Sequence, residues 1–191
     1  MSFRTLTFRA GLVLSLVLGL VAGATAQQMP TPSAEHKIVM KDVGDWTIKG
    51  KMLMPEGFQE FEAEEKVVAV GGFWTVSHYT SDIFGGLKGS TTLGYDPATG
   101  KFVGTWVDSF QPSATHMTGT YDEKTSTMTY DTVGVGMDGK PMPGKIIVQY
   151  TDENSHTFTM MHKDPTGQTD KMVQTMEMTY TRKGSKAGDK K

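Results

Sequence analysis

Hydrophobic and polar residues alternate in short runs from residue 44 to residue 182. The runs are rich in Thr, Val, Tyr and Trp and are separated by Gly, Asp and Pro, a pattern typical of strands joined by tight turns. The predicted strands cover 45–54, 58–70, 73–83, 89–95, 101–109, 116–121, 126–132, 144–150, 156–162 and 171–182. Ten sequential strands with short connections predict an antiparallel meander and an all-β protein.

Three of the connections begin with Asp and share one turn chemistry: 96–100, 122–126 and 164–167. The Asp side chain bonds to the backbone two residues on, Pro presets φ where it is present, and Gly adopts a positive φ. We therefore predict tight hairpin loops at these places. One helix is predicted before the strands, from a cap at Ser33 through Asp42, with Glu35 in its first turn. Its apolar side consists of Ile38, Val39 and Val43.

The meander is predicted to close on itself. An open meander would leave two long strand edges exposed to other chains, whereas a barrel has no edges. A propeller needs roughly 40–50 residues for each blade, which leaves too few blades in this chain. The prediction is a lipocalin-like β-barrel of about ten strands with one short N-terminal helix, and a two-sheet sandwich is the alternative.

The first 26 residues have the pattern of a signal peptide. Arg4 and Arg9 precede an apolar run from Gly11 to Val21, and Ala24 and Ala26 fit the small-residue cleavage rule. We expect a periplasmic or secreted protein with no stable membrane insertion after cleavage. The resulting divisions are a signal peptide (1–26), a leader with a short helix (27–43), the barrel domain (44–182) and a disordered basic tail (183–191).

Composition excludes several functions. The sequence contains no Cys, which removes disulfides, thiol catalysis and cysteine-ligated metals. After removal of the signal peptide, which contains Arg4 and Arg9, the chain has 17 basic and 21 acidic residues and a formal charge of −4. We therefore do not expect nucleic acid as a partner. Five of the 17 basic residues lie in the segment 182–191.

The alternation also predicts which side chains face the barrel interior, because successive residues of a strand point to opposite faces. Trp46, Ile48, Met52 and Met54 share one face of the first strand, and Met172, Met176, Met178 and Tyr180 share one face of the last. The predicted lining of a ligand cavity is Trp46, Met52, Trp106, Asp108, Phe158, His162, Met176 and Tyr180. Methionine either fills gaps in a packed core or lines a cavity for a flexible ligand.

Several short blocks resemble the DUF1579 family of uncharacterised exported proteins, over nearly the whole mature chain. These blocks are Glu35-His36, Gly44-Asp45-Trp46, Gly85 to Gly89, Thr92 to Asp96, Trp106-Val107-Asp108-Ser109, Gly119, and Glu177 to Arg182. The resemblance implies a lipocalin-like or calycin-like barrel and no established activity. Gly44-Asp45-Trp46 with Arg182 also resembles the lipocalin arrangement, in which an arginine covers the tryptophan at the barrel floor.

No catalytic motif and no metal motif is present. The main hypothesis is a carrier of a small apolar or amphipathic molecule, and the alternative is a ligand-free structural or interaction module with a filled core. Two further alternatives are a haem barrel with His162 as axial ligand and a small-molecule enzyme that uses Asp108 or His162, with Glu65 as a second carboxyl group. A Cu(I) site would use soft ligands from Met52-x-Met54, Met160-Met161-His162 and Met176-x-Met178.

Overall fold

The structure is a computed structural model that describes residues 29–136, 139–164 and 169–185. The unit that begins at Thr31 contains a short helix and ten strands within the described residues. Their bounds are α1 Ala34–Val39, β1 Gly44–Met54, β2 Gly57–Val70, β3 Trp74–Ser81, β4 Leu87–Asp96, β5 Lys101–Asp108, β6 Thr115–Asp122, β7 Thr127–Val135, β8 Pro141–Asp152, β9 Ser155–Lys163 and β10 Met172–Arg182. Each strand pairs with its neighbours in the chain, and β1 pairs with β10.

The strands form a closed antiparallel barrel, so the predicted fold class is confirmed. In the closing pair, Trp46 lies opposite Arg182 and Met52 lies opposite Met176. All ten predicted strands are present, and their ends differ from the prediction by a few residues. The largest differences at a strand end are three residues: β7 ends at Val135 instead of residue 132, and β8 begins at Pro141 instead of residue 144.

One end of the barrel, where β1 begins and β10 ends, is here called the floor, and the opposite end the mouth. The predicted helix is present at the N-terminal side of β1 and continues as a 3₁₀ turn, Met40–Asp42. The backbone N–H of Ser33 donates to His36 Nδ1 at 3.0 Å, which caps the helix. The buried ring of His36 packs edge-on against Phe73 and Tyr95. These contacts attach the helix to the strand ends at the floor.

Arg182 covers Trp46 at the floor. The guanidinium carbon lies 4.2 Å from the centre of the indole ring. Its N–H groups donate to the carbonyl oxygens of Val43 at 2.6 Å, Lys41 at 3.0 Å and Glu153 at 3.1 Å. Gly44 has a φ of 145°, and a side chain there would occupy the position of the guanidinium. The arrangement expected from the lipocalin resemblance is therefore present.

The predicted turn chemistry is found at two floor loops. Asp96 accepts from the backbone N–H of Ala98 at 2.9 Å and from the Thr99 hydroxyl at 2.8 Å. Asp122 makes the same two bonds one hairpin later, with Lys124 and Thr125. Residues 165–167 of the third turn, the predicted signal peptide 1–26 and residues 186–191 of the predicted tail lie outside the described residues.

A β-bulge corrects one of the predicted faces. The pairing of β10 with β9 shifts between Gln174 and Met176. Met172 therefore pairs with Lys163 and is 39% exposed, although the alternation placed it inside. Thr175, predicted on the outer face, lines the interior instead. A bulge inserts one residue into one strand, which exchanges the two faces beyond it.

Candidate functional site

The barrel interior contains a cavity of about 500 Å³. It lies among two clusters of buried side chains, one from β1, β2, β3 and β10 and the other mainly from β5 to β8. Asp42 and Trp46 line it at the floor, and Phe84 and Phe110 line it at the mouth. Its volume is within the range of about 300–1,000 Å³ that is usual for small-molecule sites.

The wall of the cavity is mainly apolar. Met52, Met176 and Met160 lie opposite one another on the adjacent strands β1, β10 and β9, and all three line the cavity. Other apolar lining residues are Leu53, Val67, Leu87, Leu93, Trp106, Met117, Ile146, Val148, Phe158 and Met178. A wall of flexible thioethers and aromatic rings adapts to the shape of an apolar guest.

Two aromatic rings form the lip of the mouth. Phe84 and Phe110 meet edge-on with their centres 5.9 Å apart, and each is about half exposed. Asp108 holds the loop that carries Phe110: one carboxylate oxygen accepts from the backbone N–H groups of Phe110 and Gln111, at 2.8 and 2.9 Å. The other oxygen accepts from Trp106 Nε1 at 2.8 Å. Three N–H donors occupy this carboxylate, so its role is to position the lip.

Glu65 is an acidic residue of the inner wall. It lies on β2, directly opposite Trp46 on β1 and Tyr79 on β3. The hydroxyls of Ser77 and Tyr180 hydrogen-bond to its carboxyl group, and burial raises its pKa. A carboxyl group in such a place is costly to ionise without a cationic partner.

A second carboxyl group lies at the floor. Tyr150 donates its hydroxyl to Asp42 Oδ1 at 3.0 Å, and Trp46 Nε1 donates to the Asp42 carbonyl oxygen at 2.8 Å. Burial is the main cause that raises the pKa of Asp42 to about 7, and the nearby charge of Glu65 adds to it. The Arg182 guanidinium acts in the opposite direction and offsets only part of this effect.

Two histidines lie in the interior. His156 is buried, stacked on Tyr180 at 4.3 Å and edge-on to Trp46 at 4.7 Å. Burial, and then the charge of Arg182, lower its pKa to about 4, so it is neutral near pH 7. His162 lines the cavity nearer the mouth, with Nδ1 at 2.9 Å from Thr175 Oγ1, and burial lowers its pKa as well.

The ring of His162 lies against the wall of the barrel. Its Cδ2–Nε2 edge covers Gly144, where a side chain would collide with it, while Nδ1 faces Thr175. Axial ligation of haem by His162 stays a hypothesis, because both of its ring nitrogens lie close to residues of the wall. Among the described residues, no three His, Asp or Glu side chains come together as a metal site. Within the same residues, no helix is long and apolar enough to cross a membrane.

The sequence of this barrel matches a family model described as "Protein of unknown function (DUF1579)" over residues 31–182. The chain belongs to the DUF1579 family. The match covers every strand of the barrel and the helix before it. No curated protein matches the sequence.

Two solved structures share the barrel fold of this DUF1579 protein. Rv2717c from M. tuberculosis has a TM-score of 0.61 and 13% sequence identity, and the match covers 80% of this chain and 99% of that one. The S-type phycobiliprotein lyase CPES from Guillardia theta has a TM-score of 0.52 and 14% identity, with 81% and 100% covered. At these identities the likeness shows the fold alone.

All eight side chains that the sequence predicts as cavity lining do line the cavity of the DUF1579 barrel. Sequence reasoning assigned no role at the cavity to Asp42, His156, Phe84 or Phe110. Asp42 precedes the first strand, and Phe84 and Phe110 lie in connections, so strand alternation is silent about them. His156 has the same parity as Phe158 and His162, and that signal could have placed it inside.

Proposed function

We propose that this DUF1579 protein binds a small apolar or amphipathic molecule inside its barrel. The observation that carries the proposal is the cavity of about 500 Å³ with a mainly apolar wall and a few buried polar groups. Burial of apolar surface supplies the affinity, and the polar groups orient the guest. A hollow of this size counts against the alternative of a ligand-free module with a filled core.

A barrel of the same fold occurs in a phycobiliprotein lyase. That likeness is compatible with a barrel that handles a ligand, but the proposal rests on the cavity of this chain. Most of the wall that a guest would touch is apolar and includes methionines and aromatic rings, which suits a flexible apolar guest.

Nile red, a neutral apolar dye, tests the proposal. Trp46 and Trp106 line the cavity, so a bound dye is expected to quench tryptophan fluorescence and to gain emission itself. Thr91→Phe places a ring inside the cavity, whereas Thr92→Phe places the same ring on the exposed outer face of the same strand.

We expect Thr91→Phe to weaken dye binding by about tenfold or more, which corresponds to about 1.4 kcal/mol. Thr92→Phe should bind as the parent does. Circular dichroism checks that both variants keep the barrel. Equal affinity in both variants, or no binding to the folded parent, would refute a ligand site inside the barrel.

We also propose that the protein acts after export, in the periplasm or outside the cell. The support is the signal-peptide pattern of residues 1–26. The intact mass of protein purified from its own source tests this, because cleavage after Ala26 leaves a chain that begins at Gln27. A mass that includes Met1 to Ala26 would contradict export with cleavage.

A further inference from the structure

The charged side chains that line the cavity in the described residues are all acidic. Asp42, Glu65 and Asp108 line it, and none of the described lining residues is Lys or Arg. The two histidines of the interior have lowered pKa values and carry no charge near pH 7. Among the described lining residues, a guest therefore meets carboxyl groups and hydroxyl groups but no Lys or Arg.

Arg182 does not supply the missing positive charge. It lies beneath Trp46, and its N–H groups donate to the carbonyl oxygens of Val43, Lys41 and Glu153. The indole ring stands at the floor of the cavity, whereas the guanidinium is not part of the lining. An anionic head group inside the barrel would have no cationic partner, and burial of an unpaired charge costs several kcal/mol.

Among the three carboxyl groups, Glu65 lies within a strand of the cavity wall, whereas Asp108 lies at the end of β5 and Asp42 lies before β1. Asp108 is occupied by three N–H donors at the lip, and Asp42 accepts from Tyr150 at the floor. Glu65 receives hydroxyl bonds from Ser77 and Tyr180, and a carboxylate has about four acceptor positions. At least two positions therefore remain for a donor on a guest in the cavity.

The side chains beside Glu65 suit a cation as well. Trp46 and Tyr79 lie directly opposite it on the two neighbouring strands, and both line the cavity. An ammonium group near aromatic faces gains cation–π attraction. Burial raises the pKa of Glu65, and a cationic partner is what restores its charged form.

We infer that the cavity selects amphipathic molecules whose polar end is an amine or ammonium group, with Glu65 as the acceptor that anchors it, and disfavours carboxylates such as fatty acids. This inference rests on the proposed function. It adds the chemical class of the ligand and its orientation, with the amine toward Glu65 and the alkyl chain along the methionines of β1, β9 and β10.

Displacement of bound Nile red tests the inference with three probes that share one alkyl chain: dodecylamine, dodecanol and dodecanoate. We expect dodecylamine to displace the dye at a concentration about tenfold or more below that of dodecanoate, because a charge-assisted hydrogen bond is gained in one case and an unpaired charge is buried in the other. This ranking is measured on the parent protein and needs no variant.

Glu65→Gln then identifies the anchor. It should weaken dodecylamine by about tenfold or more relative to dodecanol, with both probes measured on the variant and on the parent. Glu62→Gln is the matched control, because it removes the same charge from the exposed outer face of the same strand. It should leave the preference for the amine intact. Thermal unfolding checks that both variants fold.

The outcomes separate the two proposals. If Nile red binds and dodecanoate competes as well as dodecylamine, or if Glu65→Gln keeps the preference for the amine, the inference about the ligand class is wrong while the binding function stands. If Nile red does not bind to the folded parent, the proposed function is wrong and the inference falls with it.

Discussion

The carboxyl group of Asp42 makes a specific prediction about stability and pH. Its pKa is about 7 in the fold, against an ordinary value of 3.8. Because the folded value is the higher one, the native state holds the proton more tightly than the unfolded chain does. The stability contributed by this group is fully present below about pH 4 and is lost as the pH rises through about 7.

The size of the effect follows from the two pKa values. At 1.36 kcal/mol for each pKa unit, the difference between 3.8 and about 7 corresponds to about 4 kcal/mol of unfolding free energy. Asp42→Asn removes the titration but keeps an oxygen that accepts the Tyr150 hydroxyl. The parent should therefore lose about 4 kcal/mol relative to this variant between about pH 4 and pH 8.

Urea unfolding, followed by tryptophan fluorescence at a series of pH values, measures this difference. Subtraction of the two curves cancels the contributions of groups that both proteins share, provided that these groups titrate alike. Asp45→Asn is the control, because Asp45 is exposed on the outer face of β1 and its removal changes the net charge equally. Parallel curves for the parent and Asp42→Asn would refute the reasoning, and so would a difference that grows in the parent's favour as the pH rises.

Three further substitutions test the floor and the interior. His156 has a pKa of about 4 in the fold against an ordinary value of 6.5, so its contribution of about 3 kcal/mol to the unfolding free energy is lost as the pH falls from 6.5 to about 4. In the same urea series, His156→Gln should therefore lose less unfolding free energy than the parent over this pH range. Arg182→Lys cannot reproduce the planar fork over Trp46 and should lower the unfolding free energy by about 2 kcal/mol, whereas an unchanged urea midpoint would contradict that role. Gly89→Ala puts a methyl group where the Trp106 ring lies, so we expect the unfolding free energy to fall by about 1–3 kcal/mol and the Trp106 emission to shift. Thermal unfolding and fluorescence measure these two effects. An unaltered melting temperature would mean that the ring moves freely.

Most of the fold could be predicted from the alternation of side chains, because a strand has a period of two and the turns carry Asp, Pro and Gly. The contact between Trp46 and Arg182 at the floor was implied by the lipocalin resemblance, and the alternation of side chains alone does not imply it. The bulge in β10 could not, because no residue between Gln174 and Met176 marks it in the sequence. It reversed the face of Met172 and brought Thr175 inside.

The candidate site was predictable where it consists of strand residues and unpredictable where it depends on neighbours across strands. Alternation alone places Met52, Phe158 and Met176 in the interior. It does not reveal that Glu65 lies between Trp46 and Tyr79, because strand register is a property of the folded sheet. The acidic character of the cavity therefore follows from the folded structure and could not be predicted from the sequence.

The pairing of β1 with β10 has a consequence for how the chain assembles. Thr47 and Thr181 face each other in that pair although they are 134 residues apart, whereas every other pairing joins strands that follow one another in the chain. Nine hairpins can thus form locally and quickly, but the seam has to wait for the last strand. Until then the first and ninth strands are open edges that invite intermolecular pairing, so a chain cut before residue 172 is expected to aggregate rather than to form a smaller barrel.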